Sequence, residues 1–200
     1  MTLDRLRPIA DRALTPFVDA ADAVGLSPDG VSVLAFVCAL AAGGAFAIAE
    51  PVWFVAGAVL VFANGWFDLV DGALARRQGE ASAGGDLLDH VLDRYADIAI
   101  IAGLAAGMGA YLLGFLAVTG VLMTSYLGTQ IQAVGLGREY GGALGRADRL
   151  ALVGVVGVVA AIVPGELVAG LTIVELLLVA FAIVGHLTAL QRFYGAWSDL

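Results

Sequence analysis

Residues 68–93, DLVDGALARRQGEASAGGDLLDHVLD, place six acidic side chains in a chain that is 60% hydrophobic. Asp68 and Asp71 are three residues apart, and Asp89 and Asp93 four apart, so on helices each pair projects from one face. The short Gly-rich link between the pairs makes the two helices antiparallel neighbours, and four carboxylates then converge. Such a cluster does not stay ionised in a low-dielectric site without cations. Oxygen-only ligands select hard divalent ions, Mg²⁺ or Mn²⁺, and four carboxylates hold two of them. Two such ions at a membrane surface organise a phosphate or diphosphate and neutralise the charge that develops on transfer. Any one of these Asp residues could be an ordinary solvated helix end. Four at face-matched spacing point to chemistry on a phosphate linkage.

Small and basic residues in the same stretch fit that reading. Gly72 and Ala75 clear one helix face for a ligand, and Gly84 and Gly85 allow close backbone approach. Arg76 can clamp a phosphate bidentately. Arg77 faces another way on a helix and is expected only to bias topology.

The elements that must carry these residues are membrane helices. Charged residues are 14% of the chain and the mean hydropathy is +0.93, far from a soluble domain, where about a quarter of residues are charged. Stretches such as VSVLAFVCALAAGGAFAIA (31–49) have no polar face at helical period, which a soluble helix needs. The spacing predicts an all-α integral membrane protein of two parts. Residues 1–27 form an amphipathic interfacial helix, with Leu3, Leu6, Ile9, Leu14, Phe17 and Val18 on its stripe and Pro8 and Pro16 dividing or kinking it. Residues 28–200 form a catalytic domain of six transmembrane helices, at 31–49, 52–74, 87–109, 111–133, 149–163 and 167–190. Cys38 lies in an apolar run and reads as a core residue, no cleavable signal pattern is seen at the start, and no nucleic-acid partner is expected from a net charge of −8.

With six spans, every Arg falls on one side: Arg5, Arg7 and Arg12 before the first, Arg76 and Arg77 after the second, Arg94 in the third, Arg138, Arg146 and Arg149 before the fifth, and Arg192 at the end of the sixth. By the positive-inside bias that side is the cytoplasm, which also receives both termini. The opposite side has tight turns with Glu50 and Glu166. The chemistry is therefore expected at the cytoplasmic face of the cell membrane.

Asp68, two residues, Asp71-Gly72, two residues, Ala75-Arg76, eight residues, Gly85, three residues, Asp89, three residues and Asp93 together resemble the signature of the CDP-alcohol phosphotransferases, integral membrane enzymes of phospholipid synthesis. All eight defining positions are present at the family spacing, and the six spans, the amphipathic first helix and the length agree. The resemblance implies that the hydroxyl of a small polar alcohol attacks the lipid-bearing phosphorus of a CDP-lipid, CDP-diacylglycerol or CDP-archaeol, releasing CMP. Carried over, Asp68, Asp71 and Asp89 would hold the two metals, and Asp93 would complete that site and act as the base that takes the acceptor's proton. Asp68, Gly72, Ala75, Arg76 and Gly85 would shape the CDP-lipid pocket. The resemblance also implies a homodimer.

The acceptor is read from GREYGGALGRADRL (137–150), which brings Arg138, Arg146 and Arg149 to the cytoplasmic mouth, joined by Arg192. The ADRL run is similar to that of members using inositol phosphate. These arginines rank an alcohol phosphate, inositol phosphate or glycerol 3-phosphate, ahead of serine or another small alcohol. Asn64 is a candidate nucleotide donor, Asp86 a candidate cap, Asp97 an anchor for Arg94 or a neighbouring helix, and Glu175 and His186 ionisable groups in the last span. A membrane prenyltransferase would place its Asp motifs on well-separated helices of a longer bundle, and a cation transporter would spread its carboxylates over several depths. Neither pattern is seen.

Overall fold

The computed structural model describes residues 7–137, 142 and 144–200, with side chains from residue 13 onward. These residues form seven helices and one short hairpin: α1 (Arg7–Ala23), α2 (Pro28–Ile48), α3 (Pro51–Gln78), α4 (Ala83–Met108), α5 (Tyr111–Ala133), α6 (Arg146–Ile162), β1 (Glu166–Val168), β2 (Leu171–Thr172) and α7 (Ile173–Asp199). Local chemistry sets the boundaries that matter for the site. Pro28 opens α2 behind Ser27, whose hydroxyl accepts from Gly30 N at 3.1 Å, and Ser82 caps α4 in the same way through Gly85 N, also at 3.1 Å. Between them α3 ends at Gly79, in the left-handed region at φ 69°. The cap of α4 is thus Ser82, whereas Asp86 faces His90 at 3.5 Å.

Helix α2 packs between α3 and α4, α5 packs along α7, and α6 packs on α3. Phe46, Ile100, Leu104, Val121, Leu178 and Phe181 form one continuous core. Two glycine contacts draw helices together. A methyl group on Gly103 would collide with the backbone of Gly43, and one on Gly185 would stand 2.6 Å from the Gly120 carbonyl carbon. Close approach through small residues is how helices associate without a hydrophobic driving force between them.

Four of the described helices, α2, α3, α5 and α7, are long and apolar enough to cross a bilayer. Their outward faces are apolar, as at Val33, Val37 and Leu40 on α2 and Leu112 and Phe115 on α5. All six expected spans are present as helices, but two fall short of that measure. Helix α4 carries Asp86, Asp89, Asp93 and Arg94 in its first half and Asp97 just past its middle. Helix α6 has 17 residues, a length of about 26 Å against a hydrocarbon core of about 30 Å.

The start of the last helix, the division of the first at Pro16 and the role of Arg77 are corrected in detail. The last helix begins at Ile173, not 167, because Ala169 and Gly170 take φ 54° and 74° and close a two-residue turn between β1 and β2. Pro16 lies inside a continuous α1 and does not divide it. The apolar stripe of α1 is spent on the protein: Leu14, Val18 and Ala21 are buried with Val31, Val70 and Leu74. Arg77, expected only to bias topology, pairs with Asp19 and Asp22 of α1, and Gln78 Nε2 donates to Asp22 at 2.9 Å.

Candidate active site

Helices α3 and α4 are not the directly packed neighbours expected from the short link: both pack on α2, and beside Ser32 of α2 their acidic residues come together. Asp68, Asp71 and Asp89 each offer a carboxylate oxygen, and these three oxygens lie within 4.8 Å of one another. Asp71 is the most buried, at 6% exposure. Its Oδ2 accepts a hydrogen bond from Ser32 Oγ at 2.6 Å, so a hydroxyl one turn into α2 fixes the rotamer of a carboxylate on α3. Asp93 stands with them: Ser32, Asn64, Asp68, Asp89, Asp93 and Ala96 line a single pocket. Asn64 Nδ2 donates to the carbonyl of Ala35 at 2.9 Å and fixes α3 against α2, while its Oδ1 lies 3.5 Å from Arg146 Nη2.

A guanidinium from a distant part of the chain completes the cluster. Arg146, the first residue of α6, places Nη1 2.8 Å from Asp68 Oδ1 and Nη2 2.7 Å from Asp93 Oδ1. One turn on, Arg149 Nη2 donates to Asp97 Oδ2 at 3.0 Å, and Asp97 Oδ1 lies 3.9 Å from Arg146 Nε. Asp97 therefore anchors α6, not Arg94; Arg94 instead approaches Asp93 at 3.4 Å. Five carboxylates, Asp68, Asp71, Asp89, Asp93 and Asp97, face three guanidiniums, Arg94, Arg146 and Arg149. The residual negative charge, held on clustered hard oxygens, fits divalent metal and no softer ion.

Arg149 also belongs to a second pocket, lined with Val121, Thr124, Leu144, Phe181, Gly185 and Thr188 between α5, α6 and α7. Arg192 reaches its edge, where Nη1 donates to the Thr124 carbonyl at 2.6 Å. A Cβ on Gly142 would stand 2.6 Å from Thr188 Cγ2 and 3.7 Å from Arg192 Nη2, so Gly142 lies against this pocket. The ion-pair chain Asp93, Arg146, Asp97, Arg149 thus runs from the carboxylate pocket to a pocket with basic and hydroxyl side chains.

The remaining expected site residues are placed as follows. Gly72 sits where a Cβ would lie 3.4 Å from Arg76 Nη1, and Ala75 is half-buried one turn from it. Arg76 is exposed at the end of α3. A Cβ on Gly85 would stand 3.4 Å from Asp29 Oδ1, where the first turns of α4 and α2 meet. Arg138 lies outside the described residues. Glu175 caps α7, its Oε2 accepting from Thr172 N at 2.8 Å, and His186 approaches Thr119 Oγ1 at 3.4 Å; neither touches the acidic cluster. Ser32 was missed from sequence, and no local signal marks it beyond a hydroxyl in an apolar run.

Comparison with known proteins follows the same lines. The family model of CDP-alcohol phosphatidyltransferase matches residues 26–191. The archaetidylinositol phosphate synthase of Methanothermobacter thermautotrophicus is 32% identical over 203 aligned residues, 99% of this chain and 95% of that protein. The same enzyme from Pyrococcus horikoshii is 27% identical over 97% of this chain and 96% of its own. Among solved structures, Mycobacterium tuberculosis phosphatidylinositol phosphate synthase with CDP-DAG bound is similar with a TM-score of 0.78 at 26% identity, covering 93% of this chain and 94% of that one. Its complex with manganese and citrate gives 0.79 at 26% identity over 92% and 88%.

Proposed function

The chain belongs to the CDP-alcohol phosphatidyltransferase family, and from that premise we propose that its acceptor is an alcohol phosphate, inositol phosphate ahead of glycerol 3-phosphate. The donor is CDP-diacylglycerol or CDP-archaeol, and CMP is released. The observation that carries this reading is the ion-pair chain that joins the carboxylate pocket to the pocket holding Arg149, with Arg192 at its edge. An uncharged acceptor gives no reason to place arginines there. The names of the two archaeal relatives support inositol phosphate among the anionic choices.

In this reading Asp68, Asp71 and Asp89 would hold two divalent ions, Mg²⁺ or Mn²⁺, with Asp93 completing the site, and the ions would supply charge neutralisation for the diphosphate and the leaving CMP. Gly72 and Ala75 leave room for the cytidine diphosphate, Gly85 keeps α4 close to α2, and Arg76 takes a phosphate oxygen. Asp93 Oδ accepts the proton of the acceptor hydroxyl as that oxygen forms its bond to the lipid-bearing phosphorus. The bond from the same phosphorus to the bridging oxygen breaks, and that oxygen leaves with CMP. Arg146, Arg149 and Arg192, together with Arg138, bind the acceptor's phosphate and hold its hydroxyl in reach of Asp93.

Helices α4 and α6 complete six spans around this site, since each packs along helices that are themselves long enough to cross. The site then faces the cytoplasm, on the side that gathers Arg76, Arg77, Arg146, Arg149 and Arg192. The test is to incubate purified protein with CDP-diacylglycerol or CDP-archaeol, Mg²⁺ or Mn²⁺, and inositol phosphate, glycerol 3-phosphate, serine or inositol in separate reactions, and to identify the lipid product by mass. A product carrying inositol phosphate is expected. A product formed only with serine or free inositol overturns the assignment of an anionic acceptor.

A further inference from the structure

Asp97 is the one buried carboxylate of the cluster that stands outside the acidic signature. It lies one turn beyond Asp93 on α4 and is 5% exposed. Its two oxygens face two arginines that are themselves one turn apart on α6. Oδ2 accepts from Arg149 Nη2 at 3.0 Å, and Oδ1 stands 3.9 Å from Arg146 Nε. Arg149 is 7% exposed, and its Nε has no hydrogen-bond partner among the described residues. A guanidinium so buried needs a fixed counter-charge to remain in place, and a long side chain held at one end by a carboxylate loses less freedom when a second anion arrives.

We propose that Asp97 is the positioning residue of the acceptor site: it fixes Arg149 at the edge of the pocket formed with Thr124 and Thr188, and so sets the enzyme's preference for an acceptor that carries a phosphate. This rests on the reading that the acceptor is an alcohol phosphate. The side-chain partners of Asp97 are Arg149 and Arg146. It acts through Arg149, and to a smaller degree through Arg146, by keeping their guanidiniums on the α4 side of α6. A carboxylate serving only to join α4 to α6 would affect both substrates alike through loss of structure.

The experiment compares wild type, Asp97→Asn, Arg149→Ala and the double variant, each with CDP-lipid and with inositol phosphate varied separately. Asp97→Asn is expected to raise the acceptor KM by about 10-fold, the range in which supporting partners of a site act, with the CDP-lipid KM within about 2-fold of wild type. In the Arg149→Ala background the same substitution is expected to add almost nothing, because the residue it acts through is gone. Equal rises in both KM values, or full additivity with Arg149→Ala, overturn the proposal. Where Asp97→Asn alone yields no folded protein, Asp97→Glu carries the test: its added methylene displaces the carboxylate while keeping the charge, and an unchanged acceptor KM overturns the proposal. Wild-type protein that makes lipid product only from uncharged acceptors overturns the underlying reading instead, which separates the two failures.

Discussion

Arg146 reaches Asp93 across the pocket, Nη2 to Oδ1 at 2.7 Å, while its Nη1 holds Asp68 at 2.8 Å. A residue expected at the acceptor's phosphate thus lies against two carboxylates assigned to metal and proton transfer. A guanidinium and a divalent ion on the same oxygens repel one another, so the two compete for Asp68 and Asp93 in the substrate-free protein. Removing the arginine is expected to tighten Mn²⁺ binding by about 5-fold or more, since one nearby positive charge is lost from a partly buried site. It is also expected to abolish transfer. Titration of Arg146→Ala with Mn²⁺, read by electron paramagnetic resonance of the free ion, checks this. Weaker Mn²⁺ binding in the variant would show that Arg146 organises the carboxylates for the metal.

Ser32 supports Asp71, the most buried of the three carboxylates Asp68, Asp71 and Asp89. Its hydroxyl donates to Asp71 Oδ2 at 2.6 Å and lies 3.3 Å from the Pro28 carbonyl. Ser32→Ala leaves a buried carboxylate oxygen without its donor, at a cost of about 1–3 kcal/mol. The expected outcome is a loss of about 10-fold in kcat/KM, with a matching rise in the Mg²⁺ concentration needed for half-maximal rate. An unchanged Mg²⁺ requirement would mean that Asp71 keeps its orientation without Ser32.

The contact of α2 with α4 sets the distance between Ser32 and the Asp89/Asp93 face. At its centre a side chain on Gly103 has no space, because the Gly43 backbone occupies it. Gly103→Val is therefore expected to force the helices apart and destabilise the protein by about 2–3 kcal/mol or more. Thermal unfolding in detergent should show it as a clear fall in Tm, whereas Gly44→Ala, where a Cβ meets nothing within 4 Å, should not. Equal Tm values for the two variants would contradict the assigned packing.

Helix α1 offers a contrast between apolar and ionic docking. Leu14 is 2% exposed against α3, while the Arg77 pairs with Asp19 and Asp22 are open to solvent. Leu14→Ala is expected to cost about 2–4 kcal/mol. Arg77→Ala should leave Tm nearly unchanged, because exposed ion pairs contribute little. Protease accessibility of the first helix reads the same difference, and a larger effect from Arg77 than from Leu14 would reverse the account.

The acidic cluster was legible in the sequence because helical period puts Asp68 with Asp71 and Asp89 with Asp93 on single faces either side of a short connection, although the packing of both helices on α2 is what brings the faces together. What lies on other helices was less so. Helix α2 is apolar on every side, so its own pattern cannot tell which face meets α3; the glycine contact with α4 decides that, and with it the placement of Ser32 on Asp71. Arg146 and Arg149 were legible as a basic pair near the mouth. Their division between Asp93 and Asp97 depends on how far α6 is inserted, which no local pattern encodes. The start of α7 was misplaced because ELVAGLT is apolar enough to read as helix, and only the left-handed Ala169 and Gly170 turn it into a hairpin.

Asp93 bears the account's central claim, that carboxylates on α3 and α4 perform the transfer and that one of them takes the acceptor's proton. The most direct measurement is CMP release from CDP-lipid and inositol phosphate with Mg²⁺ or Mn²⁺, by wild-type and Asp93→Asn protein side by side, with CDP-lipid binding measured on both. Metal-dependent release by the wild type and its loss by about 100-fold or more in the variant, with CDP-lipid still bound, is the predicted result. Release by Asp93→Asn at the wild-type rate would contradict it.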